Sequence, residues 1–106
     1  MENTTNTGIQ IAETILGQIN TLDFWARARW GWKQSLALGA EAPGVMLNCT
    51  KGIKIIIKLD PSDTYSIEIG RIRGMNYSKK GEAADVYAED LVRIIDGLFS
   101  AAFGSL

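Results

Sequence analysis

The chain has 106 residues, 46% of them apolar, with one cysteine, no histidine and a formal net charge of −1. That length builds one core and not two, and a single cysteine closes no internal disulfide. The lack of histidine removes the commonest general base and, with it, the Ser-His and Cys-His pairs of nucleophilic catalysis, so no enzymatic activity is expected.

Met1 to Asn6 is polar, and residues 1–7 read as a flexible N-terminus ahead of a single domain over 8–106. Thr7 followed by Gln10 fits a capping box before Ile11, Ile15, Leu16 and Ile19, which predicts a helix from Gly8 to Asn20. From Leu22 the period becomes two: Leu22, Phe24, Ala26 and Ala28 alternate with Asp23, Trp25, Arg27 and Arg29, as in a strand with one buried face. Trp30-Gly31-Trp32 breaks the pattern, Ser35 to Leu38 extends the strand region, and Gly39 to Gly44 with Pro43 reads as a loop.

Val45, Leu47 and Cys49 alternate with Met46 and Asn48, and Lys51-Gly52 turns the chain into Ile53, Ile55, Ile57 and Leu59, which predicts a hairpin. Asp60-Pro61-Ser62-Asp63 has the composition of a type I turn, and Thr64 to Arg73 reads as a further strand. Gly70 interrupts the alternation there, and a bulge at that point would turn Arg71 and Arg73 to the polar face. Asn76 to Gly81 reads as a basic loop, after which Asp85 caps a helix carrying Tyr87, Leu91, Ile94, Ile95, Leu98 and Ala102 on one stripe. The predicted fold is α+β in two layers: a helix, an antiparallel meander of three or four strands, and a C-terminal helix.

The net charge hides two opposed blocks. From Arg27 to Lys80 there are ten basic and four acidic residues, a balance of +6, while the two ends carry eight acidic residues against Arg93 alone, a balance of −7. A basic sheet carrying acidic helices follows, and an anionic partner is the leading expectation. Trp25, Arg27, Arg29 and Lys33, joined across a polar face by Lys54, Lys58, Arg71 and Arg73, have the residue types that stack on bases and neutralise phosphates. On the last helix Val92, Phe99 and Phe103 form a second apolar stripe, an outlet for self-association as a homodimer, with Glu89, Asp90 and Asp96 as the acidic part of a partner interface.

No cofactor or metal is expected. One cysteine without histidine closes no ligand set, and Asp60 and Asp63 suit a turn that bonds its own backbone. Gly70-Arg71-Ile72-Arg73-Gly74 lies within a strand and is followed by no Walker-type lysine, so it is not read as a phosphate loop. The longest apolar run, Ile55 to Ile57, is far too short to cross a bilayer, and the sequence shows no secretion signal, so the chain reads as cytoplasmic.

The segment from Gly52 to Glu68, with Val86-Tyr87-Ala88-Glu89-Asp90-Leu91 after it and Thr14-Ile15-Leu16-Gly17-Gln18-Ile19 before it, resembles a family of small uncharacterised proteins of bacteriophages and mobile elements. Where that family has a paired glycine and a short Thr-Gly-Ala-Lys-like stretch, this chain has Asn20-Thr21 and Trp30-Gly31-Trp32-Lys33. The resemblance implies a phage-type context in a host cytoplasm and carries no catalytic residues.

Two functions follow as expectations. The first is an anti-CRISPR-like inhibitor of a host defence system, which binds and occludes a host protein through acidic helices or sequesters an anionic signal such as a nucleotide. The alternative is a single-stranded nucleic-acid-binding accessory protein that uses a basic, aromatic sheet face.

Overall fold

The computed structural model describes residues 4–39 and 41–104. Its elements, in chain order, are α1 (Thr4–Leu22), α2 (Ala26–Trp30), β1 (Trp32–Ala37), β2 (Gly44–Cys49), β3 (Ile53–Leu59), β4 (Tyr65–Arg73), β5 (Asn76–Val86) and α3 (Leu91–Phe103). Single 3-10 turns at Thr50–Gly52 and Ala88–Asp90 join β2 to β3 and lead into α3. The five strands pair antiparallel in the order β1-β2-β3-β4-β5, so the predicted α+β meander is present with five strands where three or four were expected.

The helices lie on one face of the sheet, α1 against β1 and β2, and α3 against β4 and β5. Strict alternation along the central strands sends Val45, Leu47, Ile55, Ile57, Ile67 and Ile69 to that face, where they are fully buried against Ile15, Ile19, Leu91 and Ile95. Each such side chain contributes about 1.5–3 kcal/mol when fully removed from water, so these rows fix which face the helices cover. Met46, Asn48, Lys54, Ile56, Lys58, Ser66 and Glu68 point to the other face, on which no described helix packs.

Four stretches depart from expectation. The first helix starts by Thr4 and runs through Thr7, so Thr7 is a helical residue and not the N-cap; Met1 to Asn3 of the expected flexible segment lie outside the described residues. Leu22 to Arg29 is no strand: the Asp23 carboxylate accepts the Trp25 N–H at 2.9 Å and closes an elbow, after which α2 begins. Ala26 and Trp30, four apart, are the buried pair of that stretch, whereas Leu22 and Phe24, expected inside, are exposed. Eight residues of alternating sequence were compatible with either period, and packing of Trp30 selected the helical one.

Gly70 carries no bulge on its own strand. β4 runs in continuous register with β3, Lys54 opposite Gly70 and Ile53 opposite Arg71, and the extra residue is Lys80 on β5, between the pairs Ile69–Gly81 and Gly70–Lys79. Gly70 is needed because the Tyr77 ring lies across it, with the hydroxyl donating to Glu68 Oε2 at 2.8 Å; a Cβ would meet that ring and the Ser78 carbonyl. Finally, Asn76 to Gly81 is the first half of β5, not a loop, and Asp85, at φ 56°, lies within that strand one residue before its end rather than capping a helix. An edge strand whose first half is exposed on both faces has polar residues throughout, so its sequence resembles a loop.

Candidate anion-binding groove

At one end of the sheet the start of β1, the β2–β3 turn, the end of β4 and the start of β5 come together in spatial order, with Trp32 paired to Cys49, Ile53 to Arg71 and Arg71 to Ser78. On the helix-bearing side of this end lie three adjoining concavities. The first, about 560 Å³, is bounded by Phe24, Trp25, Arg27, Trp32 and Lys33. It shares Ala28, Gly31 and Thr50 with the second, about 600 Å³, which adds Arg29, Lys51, Arg71, Phe99 and Phe103. The third, about 350 Å³, continues from Arg71 and Phe103 to Arg73, Asn76, Ser78 and Lys80. Four interstrand spacings separate β1 from β5, so the groove is about 19 Å long.

Local structure explains why each side chain is there. Strict alternation through Gly70 puts Arg71 and Arg73 on the same face as Ile69, beside the last turn of α3, with Arg71 half-buried and Arg73 exposed. Arg71 Nε donates to the Lys51 carbonyl at 3.0 Å, and its guanidinium lies 5.8 Å from the centre of the Phe103 ring. Lys51 takes a left-handed conformation, φ 63°, in the tight turn into β3. Lys80 is the bulged residue of β5. At the other end of the groove, the Arg27 guanidinium sits 5.0 Å over the Trp32 ring, a cation–π arrangement.

Arg29 is differently placed. Its Nε and Nη2 donate to the two Asp96 oxygens at 3.1 and 3.0 Å, and Nη2 also lies 2.7 Å from Asp23 Oδ2. The Trp30 indole N–H donates to Asp96 Oδ1 at 2.6 Å. The bond to Asp96 holds the Arg29 pKa above its ordinary value, and the bond from Arg29 holds Asp23 below the usual carboxylate range. This cluster ties α1, α2 and α3 together, so Arg29 joins the scaffold of the groove rather than its charged lining. Arg27, Lys33, Lys51, Arg71, Arg73 and Lys80 have no carboxylate partner among the described residues.

The eight residues expected to share one polar sheet face are therefore divided. Trp25, Arg27 and Arg29 belong to the elbow and α2, Lys33 lies at the irregular start of β1, and Arg71 and Arg73 point to the helix-bearing side. Lys54 and Lys58 are on the opposite face, where Lys54 Nζ donates to Asn48 Oδ1 at 2.5 Å. That face mixes its charges, with Glu68 and Glu82 beside Lys79, and is not a basic surface. Lys51, Asn76, Ser78 and Lys80 were not anticipated; counting alternation straight through Gly70 would have placed Arg71 on the apolar face and drawn attention to its neighbours.

The acidic residues do not assemble on one helix either. Glu89 and Asp90 sit in the 3-10 turn before α3, Asp90 lies 3.2 Å from Arg93, and Asp96 is turned towards Arg29 and Trp30. Val92, expected to be exposed in a dimer interface, is buried in the core. Phe99 and Phe103 pack edge to face, 5.4 Å apart, against the chain's own core and form one wall of the groove. Cys49 is buried, and that burial pushes its thiol up to about 11, away from the reactive thiolate form.

No group of three or more metal-ligating side chains occurs among the described residues. No helix among them is long and apolar enough to cross a membrane. Comparison with family models, with curated proteins and with solved structures finds no match.

Proposed function

We propose that the protein binds single-stranded nucleic acid along this groove. The observation that carries the reading is the row of three adjoining concavities across the sheet end, each sharing lining residues with the next, with six basic side chains without carboxylate partners among the described residues. Guanidinium and ammonium groups in such a track neutralise phosphates, and the aromatic walls accept bases whatever their identity. A length of about 19 Å suits a stretch at the short end of known single-strand sites, about four nucleotides. A net charge of −1 makes the attraction local to the groove.

Occlusion of a host protein by acidic helices draws less support, because Asp96, Asp90 and Glu82 are engaged with Arg29, Arg93 and Lys79 within the chain. A part in countering a host defence would on this reading act through capture of a nucleic acid. The phage-type context rests on the sequence resemblance alone.

The test is the anisotropy of a labelled oligothymidine across a salt series. Each phosphate neutralised lowers the slope of log K against log salt by about 0.7, so engagement of three to five phosphates gives a slope of about −2 to −3.5. Replacing Arg71 and Arg73 together by Ala should flatten that slope by about 1.4. Absence of binding at low salt, or a slope unchanged in the double variant, would falsify the proposal.

A further inference from the structure

Resting on the single-strand reading of the groove, we infer that Trp25, backed by Phe24, is a stacking platform for one extruded base at the β1 end of the groove. Phe24 and Trp25 are 72% and 69% exposed, although large aromatic side chains are ordinarily the first to be buried. They are not loosely held. The Asp23 carboxylate accepts the Trp25 N–H at 2.9 Å and bonds Arg29, so the elbow fixes the backbone that presents both rings. The rings meet edge to face at 5.3 Å, and both border the adjoining cavity of about 560 Å³.

Charge and continuity select the occupant. The cavity beside Trp25 carries Arg27 and Lys33 and, among the described residues, no acidic one, and it shares Gly31 and Thr50 with the neighbouring concavity that Lys51 and Arg71 line. A partner seated here presents a flat apolar group and an anionic chain leading away along the basic track. A base on its sugar-phosphate backbone has that combination, and base–aromatic stacking is tolerant of sequence because every base offers a π-face.

Tryptophan emission reports the contact directly, since Trp30 and Trp32 are buried and Trp25 is the exposed indole. Oligothymidine should quench the wild-type emission, and Trp25→Ala should abolish that quenching and weaken binding about five- to 150-fold, while leaving the salt slope unchanged. Trp25→Phe should restore most of the affinity. An abasic oligonucleotide of the same length should bind the wild type at least as weakly as oligothymidine binds Trp25→Ala. Wild-type affinity in Trp25→Ala, or equal affinity for the abasic strand, overturns the platform while the salt slope and the Arg71, Arg73 double variant continue to read the groove. Quenching by vesicles of phosphatidylserine and phosphatidylcholine but not by oligothymidine overturns it in favour of a membrane surface. No oligothymidine binding at all removes the groove reading and the platform with it.

Discussion

Asp96 shows how much one side chain can do in a domain of this size. It is the acceptor for the indole of Trp30, which is 1% exposed, and for both nitrogens of a forked bond from Arg29. A charge-assisted bond into a partly buried site is worth more than a surface pair, and losing it leaves a buried donor without a partner. Asp96→Ala should therefore cost about 2–3 kcal/mol, because the Trp30 N–H has no other acceptor among the described residues. At about 4–8 °C per kcal/mol for a domain of this size, the melting temperature by circular dichroism should fall by on the order of 10 °C or more. Asp96→Asn, which keeps an acceptor for the indole while removing the charge facing Arg29, should lie between the two. A wild-type melting temperature in the alanine variant would show that the Trp30 bond contributes nothing net.

At the scale of elements, the central strands were legible because one face of each is fully covered: Ile53 to Leu59 and Tyr65 to Ile69 alternate without exception, and the observed pairing follows. The elbow and β5 were not. Five residues of α2 are too few for a helical period to stand out against an alternating one, and only the burial of Trp30 decides the matter. The face of Arg71 and Arg73 was misjudged for a related reason: it depended on whether the bulge sat on β4 or on β5, and only the pairing of β4 with both of its neighbours places it on β5.

Gly31 is where these elements meet. It closes α2 in a left-handed conformation, φ 66°, its N–H bonds the Ala28 carbonyl, and its own carbonyl accepts the Thr50 N–H at 2.9 Å. A Cβ there would run into the Thr50 side chain. Gly31→Ala should thus cost about 1–3 kcal/mol, part from the backbone conformation and part from the clash. The parts are separable: Thr50→Ala in the same chain removes the hydroxyl and methyl and should recover the clash, leaving about 1 kcal/mol from the left-handed backbone. Urea denaturation of the single and double variants measures both. If the double variant is no more stable than the single, Thr50 is not the source of the strain.

Across the whole molecule, the titrating groups set the pH range in which the fold is strongest. Without histidine, no side chain of ordinary pKa titrates between the carboxylates and the thiol, so stability should be flat from about pH 5 to pH 8. On the acid side Asp23, held low first by its bond from Arg29 and then by the Trp25 N–H, contributes stability above its unfolded pKa that is lost as pH falls through the folded one. On the alkaline side the sign reverses. Burial raises Cys49 to about 11 and is the first cause of the raised values of Tyr65 and Tyr77, the latter helped by the bond to Glu68. A proton held more tightly in the folded state gives stability that is complete below the unfolded pKa, about 8.5 for the thiol and about 10 for the phenols, and is lost as pH rises. The profile from urea unfolding should accordingly be a plateau with a steeper alkaline edge, beginning near pH 9 and deepening above pH 10. Cys49→Ala should shift the start of that edge upward by about one unit, since the phenols then titrate first. The same thiol should resist alkylation at pH 8 in the folded protein and react once the chain is unfolded. Rapid labelling of native Cys49 at that pH, together with an alkaline edge unmoved by its removal, would show that the thiol is not held protonated by the core.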